Sequence, residues 1–431
     1  MLFIKPRFIR LVVFAVMAVS VGLSGHTVFA ANTNKIDTAP VVIQHFIQQV
    51  ISNHPRTMAA QAELDSIKAN LSAAEQAIYN PELELDTEKT NIRTSTIGLS
   101  QTIDWGDQRG AKTQIAQYQL EAALARFQQE RQQLSRDLLI TLSDYQNQTR
   151  QAELSNQRLN LMKDFYSLAR KKHAAGDINQ VELDLAQLAY NETVSNNARV
   201  LADQVNAEQA LVALLGTIQG IDLSRLPDIS IDYTEVAVPA DMDTFLLTLP
   251  QMRIVRANVA ASKQTINLRE SESSADPTIA IRGGKEDQES LAGLTFTIPL
   301  NIRNSFTAEI DAARSDYLRS EQLAQQAYRD LKSEIISRTR QYQLTQRAWQ
   351  QWLATGKVSM DRQLKLLKRL WRAGDLSTTD YLVQIKQNLD TQSAGIELQS
   401  TVWSSWLNWL QATAQIDNWL QLNTKDKELT Q

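Results

Sequence analysis

Cysteine is absent from the 431 residues, which removes disulfides, thiolate metal sites and cysteine nucleophiles. Glycine (14) and proline (9) are scarce for this length. Turns must therefore be few, which argues against many short strands and favours long, uninterrupted helices. Histidine is nearly missing too. His26 lies near the N-terminus, and His45, His54 and His173 share no helical turn, so a zinc pair on one helix face is absent. After the N-terminus no stretch reaches the roughly 18 consecutive apolar residues of a spanning helix. The formal charge of −4 excludes binding to nucleic acid driven by bulk charge. Arg282-Gly283-Gly284-Lys285 lacks the spacing and the Ser/Thr of a phosphate loop, and Ser, His and Asp residues are scattered without a strained nucleophile turn. The chain reads as neither an enzyme nor the holder of a cofactor or metal.

Residues 1–30 read as an export signal. Lys5, Arg7 and Arg10 precede an apolar core, Leu11 to Leu23, and Val28-Phe29-Ala30 supplies small residues at the cleavage site. Removing it takes away three positive charges and shifts the formal charge from −4 to −7. With no cysteine to carry a lipid, the expected destination is the bacterial periplasm or beyond.

The remainder is written twice. Asn80-Pro81-Glu82 is answered by Asp276-Pro277-Thr278, Ile97-Gly98-Leu99 by Ala292-Gly293-Leu294, and Ala175-Gly176-Asp177 by Ala373-Gly374-Asp375. The offsets are about 195 to 198 residues and the order is kept, which marks a duplicated large module rather than a solenoid. The first repeat spans 31–216, with a β-hairpin at 81–103 and a helical hairpin turning near 176. A connector, 217–241, carries Gly220, Pro227 and Pro239. The second repeat spans 242–414, with a hairpin at 277–299 and a turn near 374, followed by a C-terminal tail, 415–431. Each repeat opens with a helical run, 41–79 and 242–274.

Apolar residues after Arg109 recur at helical spacing. Steps of four and three from Leu120 visit Leu124, Phe127, Leu134, Leu138, Tyr145, Leu159, Met162 and Tyr166, with polar interruptions, as in a coiled-coil seam. Ile385, Leu389, Ile396, Trp403, Trp406 and Leu410 form a matching seam, and the tryptophans read as packing rather than ligand recognition. About 65 residues of helix make a rod of roughly 100 Å, too long to be buried by a globular domain. Such rods must pack along one another.

Four short segments alternate polar and apolar residues. Leu83 and Leu85 oppose Glu82, Glu84 and Asp86; Ile97, Leu99 and Ile103 oppose Thr96, Gly98, Ser100 and Thr102. Ile279 and Ile281, and Leu294, Phe296 and Ile298, do the same in the second repeat. Each is close to the roughly 9–11 residues of a tilted transmembrane strand. Four strands cannot close a barrel, and an open edge in lipid strands backbone groups at several kcal/mol each. Copies must pool their strands, and three copies give about 12, wide enough for a water-filled lumen. The fold class expected is mainly α with short β, in duplicated helix–β-hairpin–helix halves.

Three phrases carry a family resemblance: Gln101-Thr102-Ile103-Asp104-Trp105-Gly106-Asp107-Gln108-Arg109, Ile298-Pro299-Leu300-Asn301-Ile302-Arg303-Asn304, and the two Ala-Gly-Asp turns. In this order they resemble the TolC-type outer-membrane efflux proteins over nearly the whole mature chain. The resemblance implies a homotrimer with a 12-strand β-barrel in outer-membrane lipid and an α-helical tunnel across the periplasm. It also implies a periplasmic adaptor protein and an inner-membrane RND-type pump as partners. The Trp-Gly-x-x-Arg and Pro-Leu-x-x-Arg-Asn phrases look most like the branch exporting heavy-metal cations such as cobalt, zinc, cadmium, copper or silver. Other readings are a drug, small-molecule or type I secretion channel of the same family, or a periplasmic coiled-coil adaptor. The adaptor would be expected to have one long hairpin between β-rich domains.

Gly176 and Gly374 supply the positive φ of a helix-ending turn, and Asp177 and Asp375 are expected to cap the returning helices. By resemblance these turns are the tips that meet the adaptor. Glu182 and Asp380 are each the sixth residue after a tip glycine; by resemblance Asp380 matches a member of an acidic ring at the periplasmic aperture, to which Glu182 is the first repeat's counterpart, and the next ring position is Val383. Trp371 and Leu376 stand where the family places a tyrosine and an arginine that lock the aperture shut, and neither can make those bonds.

Overall fold

A computed structural model describes residues 38–216, 226–229, 233–355 and 357–422. The export segment at 1–30 and much of the connector lie outside the described residues. The chain runs α1 (Val41–Asn53), α2 (Pro55–Ala74), β1 (Glu82–Lys89), β2 (Arg93–Thr102), α3 (Gln108–Ala175) and α4 (Gln180–Leu215). It then repeats that order as α5 (Met242–Thr248), α6 (Pro250–Glu272), β3 (Thr278–Glu286), β4 (Glu289–Thr297), α7 (Thr307–Thr355), α8 (Lys357–Ala373) and α9 (Thr378–Ala412), and ends in α10 (Ile416–Trp419).

The helical runs expected over 41–79 and 242–274 are each broken in two. Proline disfavours helical geometry in the residue before it and lacks the N–H a helix needs. His54 (ψ 135°) and Leu249 (ψ 139°) are accordingly extended, immediately before Pro55 and Pro250. The two prolines are a fourth matched pair, 195 residues apart. At the first break His54 uses both ring nitrogens. Nδ1 accepts from the Arg56 N–H at 3.1 Å, and Nε2 lies 3.0 Å from the Leu214 carbonyl.

Helix α3 is continuous for 68 residues, about 100 Å. Its buried face is broader than a single seam. Ala111, Ala116, Ala122, Ala123 and Ala125 are buried, whereas Leu124 is 37% exposed. The reason is that α3 packs beside α2, α4, α6 and α9, not one partner, and small side chains let neighbours approach from several sides. The α9 seam holds at Ile385, Leu389, Trp403, Trp406 and Leu410, all buried.

The largest core gathers α1, the middle of α3 and the end of α9 around Leu138, Leu142, Tyr342, Trp403 and Trp406. Residues 415–422 belong to this core and are not a tail. Ile416, Trp419 and Leu420 are at most 3% exposed, the Trp419 carbonyl accepts from Ala39 at 2.9 Å, and buried Asp417 pairs with Arg131 at 2.7 Å.

The strands form one antiparallel sheet in the order β1-β2-β3-β4, so the two repeats meet where β2 pairs with β3. Among the described residues, strands β1 and β4 each have a single neighbour. Both flanks of the sheet are edges.

Candidate functional site

The two ends of the helical rods carry the features to which function can be attached. At one end, α3 and α8 finish in the same way. Gly176 (φ 84°) and Gly374 (φ 85°) adopt the left-handed conformation. The Gly176 N–H reaches the His173 carbonyl at 3.0 Å and the Asp177 N–H reaches that of Lys172 at 2.9 Å. Gly374 and Asp375 repeat this with Trp371 (3.2 Å) and Leu370 (3.0 Å). These are paired Schellman closures, which satisfy the orphan carbonyls of a helix end.

Asp177 and Asp375 do not cap the returning helices, contrary to the sequence expectation. Their N–H groups are consumed by the closures, and the caps fall two residues later. Asn179 Oδ1 accepts from the Glu182 N–H at 2.9 Å while Glu182 Oε2 accepts from the Asn179 N–H at 3.2 Å, a capping box. Ser377 Oγ accepts from the Asp380 N–H at 3.1 Å and donates to Asp380 Oδ2 at 2.7 Å. Glu182 and Asp380, the expected ring acids, thus stand in the first turns of α4 and α9 beside the helix dipoles' positive ends. Asn-x-x-Glu and Ser-x-x-Asp are the sequence signals of these caps.

Trp371 does not face an aperture; it is 3% exposed and packs inside the chain. Its ring lies 4.5 Å from that of Phe165 and 4.8 Å from that of Tyr381, nearly parallel to the latter. Its indole N–H is 3.5 Å from Thr378 Oγ1, and Lys172 Nζ sits 5.3 Å over the ring and 3.3 Å from the Trp371 carbonyl. Leu376 and its counterpart Ile178 are half-buried against the same cluster. The two hairpin tips are therefore joined by an apolar, aromatic contact between α3, α8 and α9. Burial lifts the Tyr381 hydroxyl to about 12. Phe165 and Tyr381 carry no sequence signal beyond helical spacing. Val383 is exposed.

At the other end, the helix starts explain the Asp-Trp-Gly-Asp phrase. Asp104 accepts from the N–H groups of Gln108 (2.8 Å) and Arg109 (2.9 Å), and Asp107 from that of Gly110 (3.1 Å). A side chain at Gly106 would place its Cβ 2.5 Å from the Ser271 carbonyl. Buried Asp276 gathers the Tyr79 hydroxyl (2.9 Å), the Trp105 N–H (3.0 Å) and the Gln108 amide (2.9 Å), binding the second repeat to the first.

Above this junction the sheet sorts its side chains by face. Leu83, Leu99, Ile281 and Leu294 are paired in succession across all four strands, forming one apolar row. They are 66%, 49%, 59% and 74% exposed. Phe296, paired with Ile279, and Ile97, paired with Leu85, extend the face. The opposite face carries Glu82, Glu84, Asp86, Glu88, Glu286 and Glu289, with Arg282 as its cation.

No group of three or more His, Asp or Glu residues able to hold a metal occurs among the described residues. Among them, too, no helix is long and apolar enough to cross a membrane, which leaves the sheet's apolar face unaffected.

Residues 46–217 match the model of the outer membrane efflux protein family. Nodulation protein T of Rhizobium leguminosarum bv. trifolii is 22% identical over 392 residues, covering 84% of this chain and 80% of that protein. A membrane protein from Pseudomonas aeruginosa superposes with a TM-score of 0.74 at 14% identity, over 88% of this chain and 94% of its own. The Campylobacter jejuni CmeC outer membrane channel does so with a TM-score of 0.70 at 15% identity, over 87% and 86%. At these identities the structural likenesses establish the fold.

Proposed function

We propose, from the premise that the first repeat belongs to the outer membrane efflux protein family and that the chain carries the TolC-type fold, that three copies form an efflux conduit through the bacterial outer membrane. The observation that carries this is the sheet. A row such as Leu83, Leu99, Ile281 and Leu294, exposed on a sheet with two unpaired edges, is neither a soluble surface nor a finished membrane structure. In lipid the edges of β1 and β4 would leave backbone groups unsatisfied at several kcal/mol each. Pairing β4 of one protomer with β1 of the next removes every edge and sets the apolar face outward.

The opposite face then lines the lumen. Six carboxylates and one guanidinium per chain make that lumen strongly negative, which favours cations. Heavy-metal cations are the proposed cargo on this ground and on the resemblance of the two helix-start phrases. Conduction is passive: an inner-membrane RND-type pump supplies the free energy and a periplasmic adaptor connects it to the tips at Gly176, Asp177, Gly374 and Asp375. Glu182 and Asp380 contribute about six acids around the entrance.

The test is extraction followed by bilayer recording. The protein should leave the outer membrane only with detergent, run as a trimer and conduct across planar bilayers with preference for cations. The variant Glu84→Gln/Asp86→Asn/Glu88→Gln should lose much of that preference while still conducting. A buffer-soluble monomer without conductance refutes the channel. Unchanged selectivity in the variant refutes the cation reading.

A further inference from the structure

The sheet sorts its charges by sign as well as its side chains by polarity. Its strands carry six carboxylates, and the register puts all six on the face opposite the apolar rows. Of the four cations in the strands, Arg282 shares that acidic face, whereas Lys89, Arg93 and Lys285 lie on the apolar one. All three stand at the end of the sheet away from the helices. Climbing the apolar face, the row of Leu83, Leu99, Ile281 and Leu294 gives way to Leu85, Ile97, Gly283 and Ala292. Thr87, Ser95, Lys285 and Ser290 come next, and Lys89 and Arg93 finish the ladder.

Lys89 and Arg93 are direct cross-strand partners, their Cβ atoms about 5 Å apart, and Lys285 is one diagonal step from Arg93, about 7–8 Å away. Like charges so placed repel. All three are exposed, and among the described residues none is ion-paired. Asp287, in the turn between β3 and β4, donates its N–H to the Arg93 carbonyl at 2.9 Å, but its carboxylate pairs with none of them.

Their height on the sheet is informative. Ten residues separate Ile103, at the foot of β2, from Arg93 at its head. That is about 33 Å along the strand and about 25 Å across the bilayer at a barrel strand's tilt, the height of an apolar band. Trp105, 72% exposed just below Ile103, marks the lower boundary, as interfacial aromatic residues do. Lys285, two residues lower than Arg93 in register, reaches the upper boundary through its long stem. The three cations, with the hydroxyls of Thr87, Ser95 and Ser290 beside them, therefore stand among outer-leaflet headgroups.

We infer, resting on the channel reading above, that Lys89, Arg93 and Lys285 bind the phosphate-bearing headgroup of an outer-leaflet lipid whose acyl chains cover the apolar rows beneath. The counter-charge missing from the chain is then supplied by the bilayer. A free phosphate would supply the charge and leave those rows uncovered. The two faces divide the work: carboxylates meet the conducted ion, and cations meet the lipid.

The probe is an acylated glucosamine disaccharide bearing two phosphates, beside its phosphate-free twin. Each is titrated into the detergent-solubilised, full-length protein. The phosphorylated lipid should bind about tenfold more tightly than its twin, and high salt should shrink the difference. Inorganic pyrophosphate at the same concentration should displace little of it. Lys89→Gln/Arg93→Gln/Lys285→Gln should abolish the preference while trimers still form and conduct, and Lys285→Gln alone should lower it about two- to threefold. Arg282→Gln removes a cation from the opposite face of the same strand and should leave the preference intact. Equal binding of the twins, full displacement by pyrophosphate, an equal loss in Arg282→Gln, or a preference surviving in the triple variant overturns the inference. Bilayer conductance of the same preparations reports on the channel reading alone. A conducting trimer indifferent to the phosphates overturns the lipid site, whereas preparations that do not conduct overturn the channel.

Discussion

Trp371→Ala isolates what the tip cluster does. Trp371 is 3% exposed, its ring 4.5 Å from Phe165 on α3 and 4.8 Å from Tyr381 on α9. Removing a buried tryptophan costs about 3–5 kcal/mol, a figure that already contains the lost ring contacts. The cost should be local, because the tip cluster and the large core around Trp403 and Trp406 share no residue. At about 1.4 kcal/mol per factor of ten, 3 kcal/mol raises the population of separated tips about 100-fold. Hydrogen exchange read by mass spectrometry should show that loss of protection over 160–190 and 365–390. Protection over 134–142 and 402–410 should stay at the wild-type level. Trp371→Phe keeps a ring in place and should lose less than half as much. Uniform loss along the chain, or none at the tips, refutes the view that this cluster couples the two hairpins.

Other consequences are as direct. A Cβ at Gly374 would meet nothing within 4 Å, so the cost of substitution there is backbone strain alone, about 1–2 kcal/mol; Gly374→Val should open the tip in the same exchange assay and Gly374→Asn should do so far less, whereas equal effects would mean the positive φ is not the constraint. Asp276→Ala strands the Tyr79 hydroxyl, the Trp105 N–H and the Gln108 amide, and should lower the denaturation free energy by about 3 kcal/mol; a loss below about 1 kcal/mol would show the network to be dispensable. Burial holds the hydroxyls of Tyr233 and Tyr342 far above their ordinary value and that of Tyr381 at about 12. The neutral form is favoured in the fold, so this stability is complete below about pH 10 and is lost as pH rises through 12. Melting temperature should fall above pH 10, and less so in Tyr381→Phe; a flat profile to pH 11.5 contradicts the assignment.

Much of this was legible because it depends on local chemistry. Gly176 and Gly374 are where they are because a Schellman closure needs a positive φ, and a glycine three residues before each cap announces it. The strand faces follow from alternation, and the family resemblance rests on phrases whose Asp104, Gly106 and Asp107 serve a particular helix start. What was misread depends on neighbours the sequence does not name. Asp177 looks like a cap, but the side chains that accept from the first helical N–H groups are those of Asn179 (φ −84°, ψ 173°) and Ser377 (φ −64°, ψ 154°), where the backbone is extended as a cap requires. Helical spacing along α3 marks one apolar seam, whereas the helix packs beside α2, α4, α6 and α9 and buries small residues on several sides. The resemblance puts Trp371 where the family has an aperture lock, yet a tryptophan between Phe165 and Tyr381 is drawn inward. Ile416, Trp419 and Leu420 already had the spacing of a packed turn, obscured by the polar residues after them.

The sheet constrains the proposed assembly beyond the need to hide edges. Strand direction alternates from β1 to β4, so β4 runs opposite to β1, and joining β4 of one copy to β1 of the next keeps the whole sheet antiparallel. The contact is head-to-tail, and such a contact either closes into a ring or grows without end. Two copies would close about eight strands, whose interior fills with side chains; the charged face bearing Glu82, Glu84, Asp86 and Glu88 could not be packed there without burying like charges together. Three copies give about twelve strands and keep those carboxylates in water. In the proposed assembly the ladder of acids on β1 therefore argues for the trimer over the dimer, independently of any likeness to known channels.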